Sequence, residues 1–468
     1  MKIEALKKQK TFSNIFRHFG KCIIISNVKA NLIPLEFLDQ VLLTPHSLTP
    51  VDIGGWLVFD HLLDTAILRK AIQETLEEFP HLGSRIIFSG DKAFFDPLET
   101  SSPPLEVMET EKIGESEVPE AVKNLFRTPI QPSIGPMLKF LQLSSREKTI
   151  LAISVNHSAC DGRGISYLLH ALAERYTALI EGKKSERPRG RNERCLKILY
   201  RERPVSAFPG MVLDNIRQGL QFTVCRSPDR LPGVRNHARP DYTAIFFFEE
   251  EVKLIKNKVK NSGITVNDLF LASLVRTCRQ CLGKLKTLRI HIAQDLRPFK
   301  KQDEKIFWEH PYGWLPVGNF SGMFFVEFKD EEISSDPVFL QTAAQKTRIH
   351  KRRQTTLNGN LLWCLPFPPL FFPLLNRWIA KGNGINLVAN LFKSTTILSN
   401  LGTTPAEFYR FGNTLPLSFS FALPLVSAAG IVVAASGVGN AISLTLTHPE
   451  NYGPTGDFAK ILKANILV

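Results

Sequence analysis

Strand and helix signals alternate along this chain, and they do so twice. That double alternation limits the fold more than any other feature. In the first half, Ile53 to Phe59 reads as a strand, and Asp64 caps a helix from about Thr65 to Phe79 that Pro80 stops. Arg85 to Phe88 reads as a short strand, followed by a Pro/Glu/Ser-rich loop around 97–120. Strands follow at Met137 to Leu143 and Thr149 to Val155, then a helix from Ile165 to Ile180 that ends at Gly182. The second half restarts with a strand at Thr243 to Phe248 and helices at about 250–261 and 265–282. Strands at Arg289 to Ala293 and Gly322 to Phe328, a helix from Pro337 to Arg353, and strands at Thr396 to Leu398 and after 415 complete it. Two α/β halves of similar size predict a two-lobed protein, with the cleft between lobes as the default place for a site.

A change of composition separates the halves. Lys183 to Arg203 carries nine basic residues, Arg194 among them, against three acidic ones, and a second such stretch runs from Arg226 to Pro240. The expected organisation is a basic N-terminal extension over 1–29, a first lobe over 30–190, a basic linker over 191–240 and a second lobe over 241–468. The whole chain has 58 Lys and Arg against 44 Asp and Glu, a formal net charge of +14. A surplus of this sign suits nucleic acid, an anionic membrane surface, or an acidic small molecule or carrier protein. No basic helix, zinc module or aromatic RNA-binding motif accompanies it, so nucleic acid is not expected as a partner.

Seven dispersed cysteines do not form a disulfide framework, which predicts a reducing, cytoplasmic setting. Cys278-x-x-Cys281 lies in a helix pattern with no second pair nearby, so no metal site is expected. Phe12, Ile15, Phe16 and Phe19 share one helical face among basic residues, the pattern of a short helix lying on a membrane. Leu361 to Leu375 is uncharged, but four prolines argue against a spanning helix. It remains a candidate for touching lipid or lining an acyl pocket. Leu415 to Leu446 is also uncharged, and its Pro and Gly punctuation reads as successive core strands.

Chemistry concentrates in Leu151-Ala-Ile-Ser-Val-Asn-His157-Ser-Ala-Cys-Asp161-Gly162-Arg-Gly164. An apolar strand ends, His157 stands at its exit, Asp161 follows four residues later, and glycines allow a tight turn into a helix. A histidine at a strand end is held rigidly and can take a proton near neutral pH. The alternative is a surface-turn histidine beside an aspartate that only caps the helix.

With three further segments in order, this constellation resembles the superfamily of chloramphenicol acetyltransferase, BAHD acyltransferases, wax-ester synthases and peptide-synthetase condensation domains. The others are Ile33-Pro-Leu-Glu-Phe-Leu-Asp39 near the start; Asp295-Leu-Arg297-Pro298 with Gly318-Asn319-Phe-Ser321-Gly322 after it; and Ser399-Asn400-Leu-Gly402 before the last strands. The resemblance spans roughly residues 30–465. It implies an α/β fold of two chloramphenicol-acetyltransferase-like lobes, mixed sheets with flanking helices, and an active-site tunnel at their interface. It implies that His157 is the general base that deprotonates a hydroxyl acceptor attacking an acyl thioester, without a covalent enzyme intermediate or bound cofactor. The donor would be acyl-CoA or an acyl carrier protein. Asp161 would be structural and pair with Arg297. Gly162 would offer a backbone N–H to the oxyanion, and Asn319 and Ser321 are further candidates for that role or for substrate.

Two departures narrow the likeness. Many condensation domains have a second histidine before the catalytic one, where this chain has Asn156. The D-F-G-W-G signature of plant BAHD enzymes is absent; Tyr312-Gly-Trp314 is not a match. The expected function is a standalone O-acyltransferase, acting as a cytoplasmic monomer with peripheral membrane contact. The alternatives are an amide-forming condensation enzyme of the same fold and a catalytically inactive binding protein that keeps the site.

Overall fold

The computed structural model describes residues 31–46, 50–89, 92–99, 102–114, 117–183, 194–199, 209–214, 216, 229, 231, 239–283, 286–299, 316–334, 337–359, 393–425, 429–450, 452 and 455–468. The amphipathic segment around Phe12 to Phe19, Tyr312-Gly-Trp314, the proline-broken run from Leu361 and most of the basic linker lie outside these residues.

In chain order the elements are β1 (Ile33–Pro34), α1 (Phe37–His46), β2 (Asp52–Phe59), α2 (Thr65–Glu78), β3 (Ser84–Ser89), β4 (Lys92–Pro97), β5 (Leu105–Glu109), α3 (Glu120–Arg127), β6 (Leu138–Ser144), β7 (Thr149–Asn156) and α4 (Gly162–Ile180). Then come β8 (Pro240–Phe247), α5 (Glu249–Ser262), α6 (Val266–Leu282), β9 (Leu288–Asp295), β10 (Ser321–Phe328), α7 (Pro337–Arg352), α8 (Thr355–Gly359), β11 (Thr396–Thr404), β12 (Ser418–Ala422), β13 (Ile431–Val438), β14 (Ala441–Pro449) and α9 (Thr455–Leu467). Strand β5 stands inside the expected 97–120 loop. It is an edge strand parallel to β6, and only Leu105 of it is buried, so no apolar run announces it.

Two mixed sheets carry the architecture. The first runs β12-β2-β7-β6-β5, the second β10-β9-β11-β13-β14-β8, and a small antiparallel sheet β1-β4-β3 stands apart. Strand β7 is buried along its whole length, as its largely apolar sequence, broken by Ser154 alone between Ile150 and Val155, leads one to expect. Its residues alternate between faces. Leu151, Ile153 and Val155 pack in one core with α2 and α4, while Ile150 and Ala152 pack in another with Val122, Leu125 and Phe126 of α3. The second sheet has its own core against α5, α6 and α9.

The halves do not divide where the composition changes. Strand β12, from the second half, pairs antiparallel with β2, Ser418 opposite Val58, and completes the first sheet. Its backbone still reaches the second sheet: Ser436 and Ser443 both donate hydroxyl hydrogen bonds to the Phe419 carbonyl, at 2.9 and 2.8 Å. The boundary at 241 therefore separates stretches of sequence and not sheets. A buried strand can serve a distant sheet without leaving any mark in its own composition.

Phe421 of β12 lies so close to the head of α4 that a Cβ on Gly162 would fall 2.5 Å from its ring. Gly162→Ala should therefore destabilise the protein by roughly 1–3 kcal/mol through overpacking. A lower melting temperature in a thermal unfolding scan checks this.

Candidate active site

Val155 and Asn156 end β7, and the chain turns sharply before α4 begins at Gly162. The turn is tied down at both ends. The His157 N–H donates to the Val51 carbonyl (3.3 Å), and the Asp161 N–H donates to the Gly318 carbonyl (3.2 Å). Inside the turn, His157 Nδ1 lies 3.1 Å from the Cys160 carbonyl. A carbonyl only accepts, so Nδ1 carries the hydrogen and Nε2 of the neutral ring keeps a lone pair. That is the tautomer a base needs. Burial pulls the ring's pKa below its usual 6.5, while the Asp161 charge, the Cys160 carbonyl and the Asn319 side chain act against that pull.

Asn156 has a different task. Its Nδ2 donates to Asp52 Oδ1 (2.8 Å), and its Oδ1 accepts from the Ser158 N–H and hydroxyl. Burial raises the Asp52 carboxyl to about 6, against hydrogen bonds from Ile130 and Asn156. The residue before His157 is thus a buried brace between β2 and the turn.

Asp161 caps α4, accepting from the Gly164 N–H at 2.7 Å. Its other bonds reach the second half. Arg297 Nη1 and Nη2 approach Asp161 Oδ2 and Oδ1 at 3.1 and 3.0 Å, a two-pronged ion pair, and the Phe320 N–H donates to Oδ2 at 2.7 Å. Arg297 also bonds the Pro316 and Gly318 carbonyls and Asp295 Oδ1, and it stands 4.9 Å over the Phe320 ring. Asp161 is 1% exposed and Arg297 5%, so the pair lies in the interior. Burial pulls the pKa of Arg297 down, but Asp161 and Asp295 more than offset it and hold the guanidinium above its ordinary value. The third segment joins in here: Arg163 of α4 donates to the Leu401 carbonyl, where β11 slips register between Asn400 and Thr403.

The opening segment enters from the other side. Asp39 is buried and ion-pairs with Arg194. Its carboxylate accepts from the Glu36 N–H (2.9 Å) and from Asn319 Nδ2 (2.8 Å). Burial raises its pKa to about 6 against the pull of Arg194 and Asn319. Two sequence readings change. Arg194, counted among the basic residues of the linker, is buried and stacks over Phe95 at 4.7 Å. A buried aspartate in an apolar opening segment demands a cation, and that demand was the available signal. Asn319 is not free to donate to an oxyanion, because its two amide hydrogens go to Asp39 and to the Ser158 carbonyl (3.1 Å). Ser321 opens β10 opposite Asp295, and its hydroxyl makes no hydrogen bond among the described residues. Gly162 stands first in α4, where an N–H has no partner within the helix.

Among the described residues no group of three or more His, Cys, Asp or Glu is placed to hold a metal ion, and no helix is long and apolar enough to cross a membrane.

No protein-family model matches the sequence, and no curated protein does. Solved structures do match. The first condensation domain of the calcium-dependent antibiotic synthetase, in complex with a substrate analogue, superposes with a TM-score of 0.68 at 14% identity, covering 94% of this chain and 97% of that one. The condensation domain of a Monacolin K polyketide synthase gives 0.62 at 13% identity, covering 94% and 98%. The starter condensation domain of rhizomide synthetase, a variant in complex with C8-CoA, gives 0.61 at 12% identity, covering 93% and 95%. Identities this low speak for the fold. The chain has the two-lobed condensation-domain fold of the chloramphenicol-acetyltransferase type.

Proposed function

We propose that this protein is an acyltransferase that moves an acyl group from a thioester, acyl-CoA or an acyl carrier protein, to a hydroxyl acceptor. One observation carries the reading. His157 stands where the two halves meet, with Nδ1 bound to a carbonyl and Nε2 left as a base. In the reaction, Nε2 takes the acceptor's proton as its oxygen bonds to the thioester carbon. The tetrahedral oxyanion collapses, the carbon–sulfur bond breaks, and the proton on Nε2 passes to the departing thiolate. No bond to the enzyme forms. The Gly162 N–H is the candidate donor to the oxyanion. Asp161 and Arg297 hold the turn and do not touch substrate. A relative of the same fold has been captured with C8-CoA, which supports a CoA thioester as donor.

The test is release of free thiol from a panel of acyl-CoAs by the pure protein, with long-chain alcohols and primary amines as acceptors. Alcohol-dependent thiol release with formation of the ester is expected. The likeness to condensation domains favours amines as the second reading, and amine-dependent release alone would establish that one. Thiol release with no acceptor in the panel would remove the first reading.

The pH profile follows from the ring's lowered pKa. The base works when neutral, so kcat/KM should fall on the acid side along a limb centred below pH 6.5, as His157 takes up a proton. An acid limb centred above pH 6.5 would contradict the assignment.

A further inference from the structure

The Asn319 amide is gripped by two acceptors. One N–H goes to Asp39 Oδ1 at 2.8 Å and the other to the Ser158 carbonyl at 3.1 Å. These use both hydrogens of the amide and fix which way it faces, because a turned amide would set its oxygen against two oxygens. Asp39 cannot follow a turn either, since Arg194 and the Glu36 N–H hold its other oxygen. Oδ1 of Asn319 is left buried with no hydrogen-bond partner among the described residues, in a side chain 2% exposed. A buried amide oxygen without a donor is disfavoured, so its place asks for a reason. Ser158 follows His157 directly in the chain, and the Asn319 side chain is one of the groups that raise the affinity of the His157 ring for a proton.

We propose that Asn319 is a positioning residue for the general base: its amide, clamped by Asp39 and the Ser158 carbonyl, presents Oδ1 to the His157 ring and favours the cationic ring that forms during transfer. The inference rests on the reading of His157 as the base. As the acceptor's proton passes to Nε2, the ring gains a positive charge while its Nδ1–H stays on the Cys160 carbonyl. The negative end of the Asn319 dipole is already in place, so it stabilises that charge without rearranging. The opening segment thereby acts on the base through two residues, Asp39 and Asn319, although it lies far from His157 in sequence.

The test reads the His157 ring directly, by NMR titration of labelled histidine in the full chain, alongside steady-state kinetics. In Asn319→Ala the ring pKa should fall by roughly half a unit to one unit. The acid limb of kcat/KM should move down by the same amount. Turnover should drop by roughly tenfold, less than for loss of a direct donor to the oxyanion, with KM for both substrates kept. If Asn319→Ala does not fold, the shorter Asn319→Ser side chain serves, with the same expected fall. An unmoved His157 titration in either folded variant overturns the inference, even if turnover falls, because a packing defect alone would do that. The titration needs no activity, so it stands apart from the acyltransferase reading: a His157→Ala variant that still turns over would sink that reading and leave the measured coupling between Asn319 and His157 intact.

Discussion

Arg297→Ala should lower the melting temperature sharply or leave the protein insoluble, with activity lost as a consequence. The guanidinium bridges Asp161 at the head of α4, Asp295 at the end of β9, and the Pro316 and Gly318 carbonyls. Removing it leaves the Asp161 carboxylate buried beside one remaining cap bond and the Phe320 N–H. Breaking a buried pair in this way typically costs about 3–5 kcal/mol. Natural proteins are stable by only about 5–15 kcal/mol, so the loss is a large share of the whole. Arg297→Lys should fall between the two, since it keeps the charge and loses the planar fork. Thermal unfolding followed by circular dichroism decides the matter. An Arg297→Ala protein that melts like the wild type would show that the pair does not hold the halves together.

His157→Ala should do the opposite. Among the described residues the imidazole makes one hydrogen bond, to the Cys160 carbonyl, and the turn around it is fixed by backbone bonds the substitution leaves in place. Melting should change little. Acyl transfer should fall by roughly 10²–10⁴-fold, the usual contribution of a positioned general base. The contrast between the variants separates the group that reacts from the pair that holds it. Turnover near the wild-type rate in His157→Ala, with a donor and acceptor known to be used, would remove the base from the mechanism.

How far the sequence could be read depended on where each residue's partner lies. Strand β7 and helices α2 and α4 come within a few residues of their expected bounds, because an apolar run, a cap and a stop are local signals. The pairing of Asp161 with Arg297, 136 residues apart, was legible only through the family resemblance. What local patterns could not show was direction and destination. Arg194 looked like any other cation of the basic linker until Asp39, 155 residues away, was placed against it. Asn319 offered hydrogens to an imagined oxyanion, but a side chain's free donors depend on what surrounds it in space. Helix α9 and edge strand β5 carried too little contrast to be seen.

The exchange of β12 sets the order in which this protein can be made. Ser418 lies opposite Val58, so on the ribosome the partner of β2 emerges roughly 360 residues after β2 itself, at about 5–20 residues per second a delay of roughly 20–70 s. From the emergence of β7 until that of β12, the nascent first sheet has four strands and an open hydrogen-bonding edge on an apolar core, the condition in which chains pair with the wrong neighbour. Synthesis of this protein is therefore exposed to misassembly until Ser418 to Ala422 have emerged and β12 can close that edge.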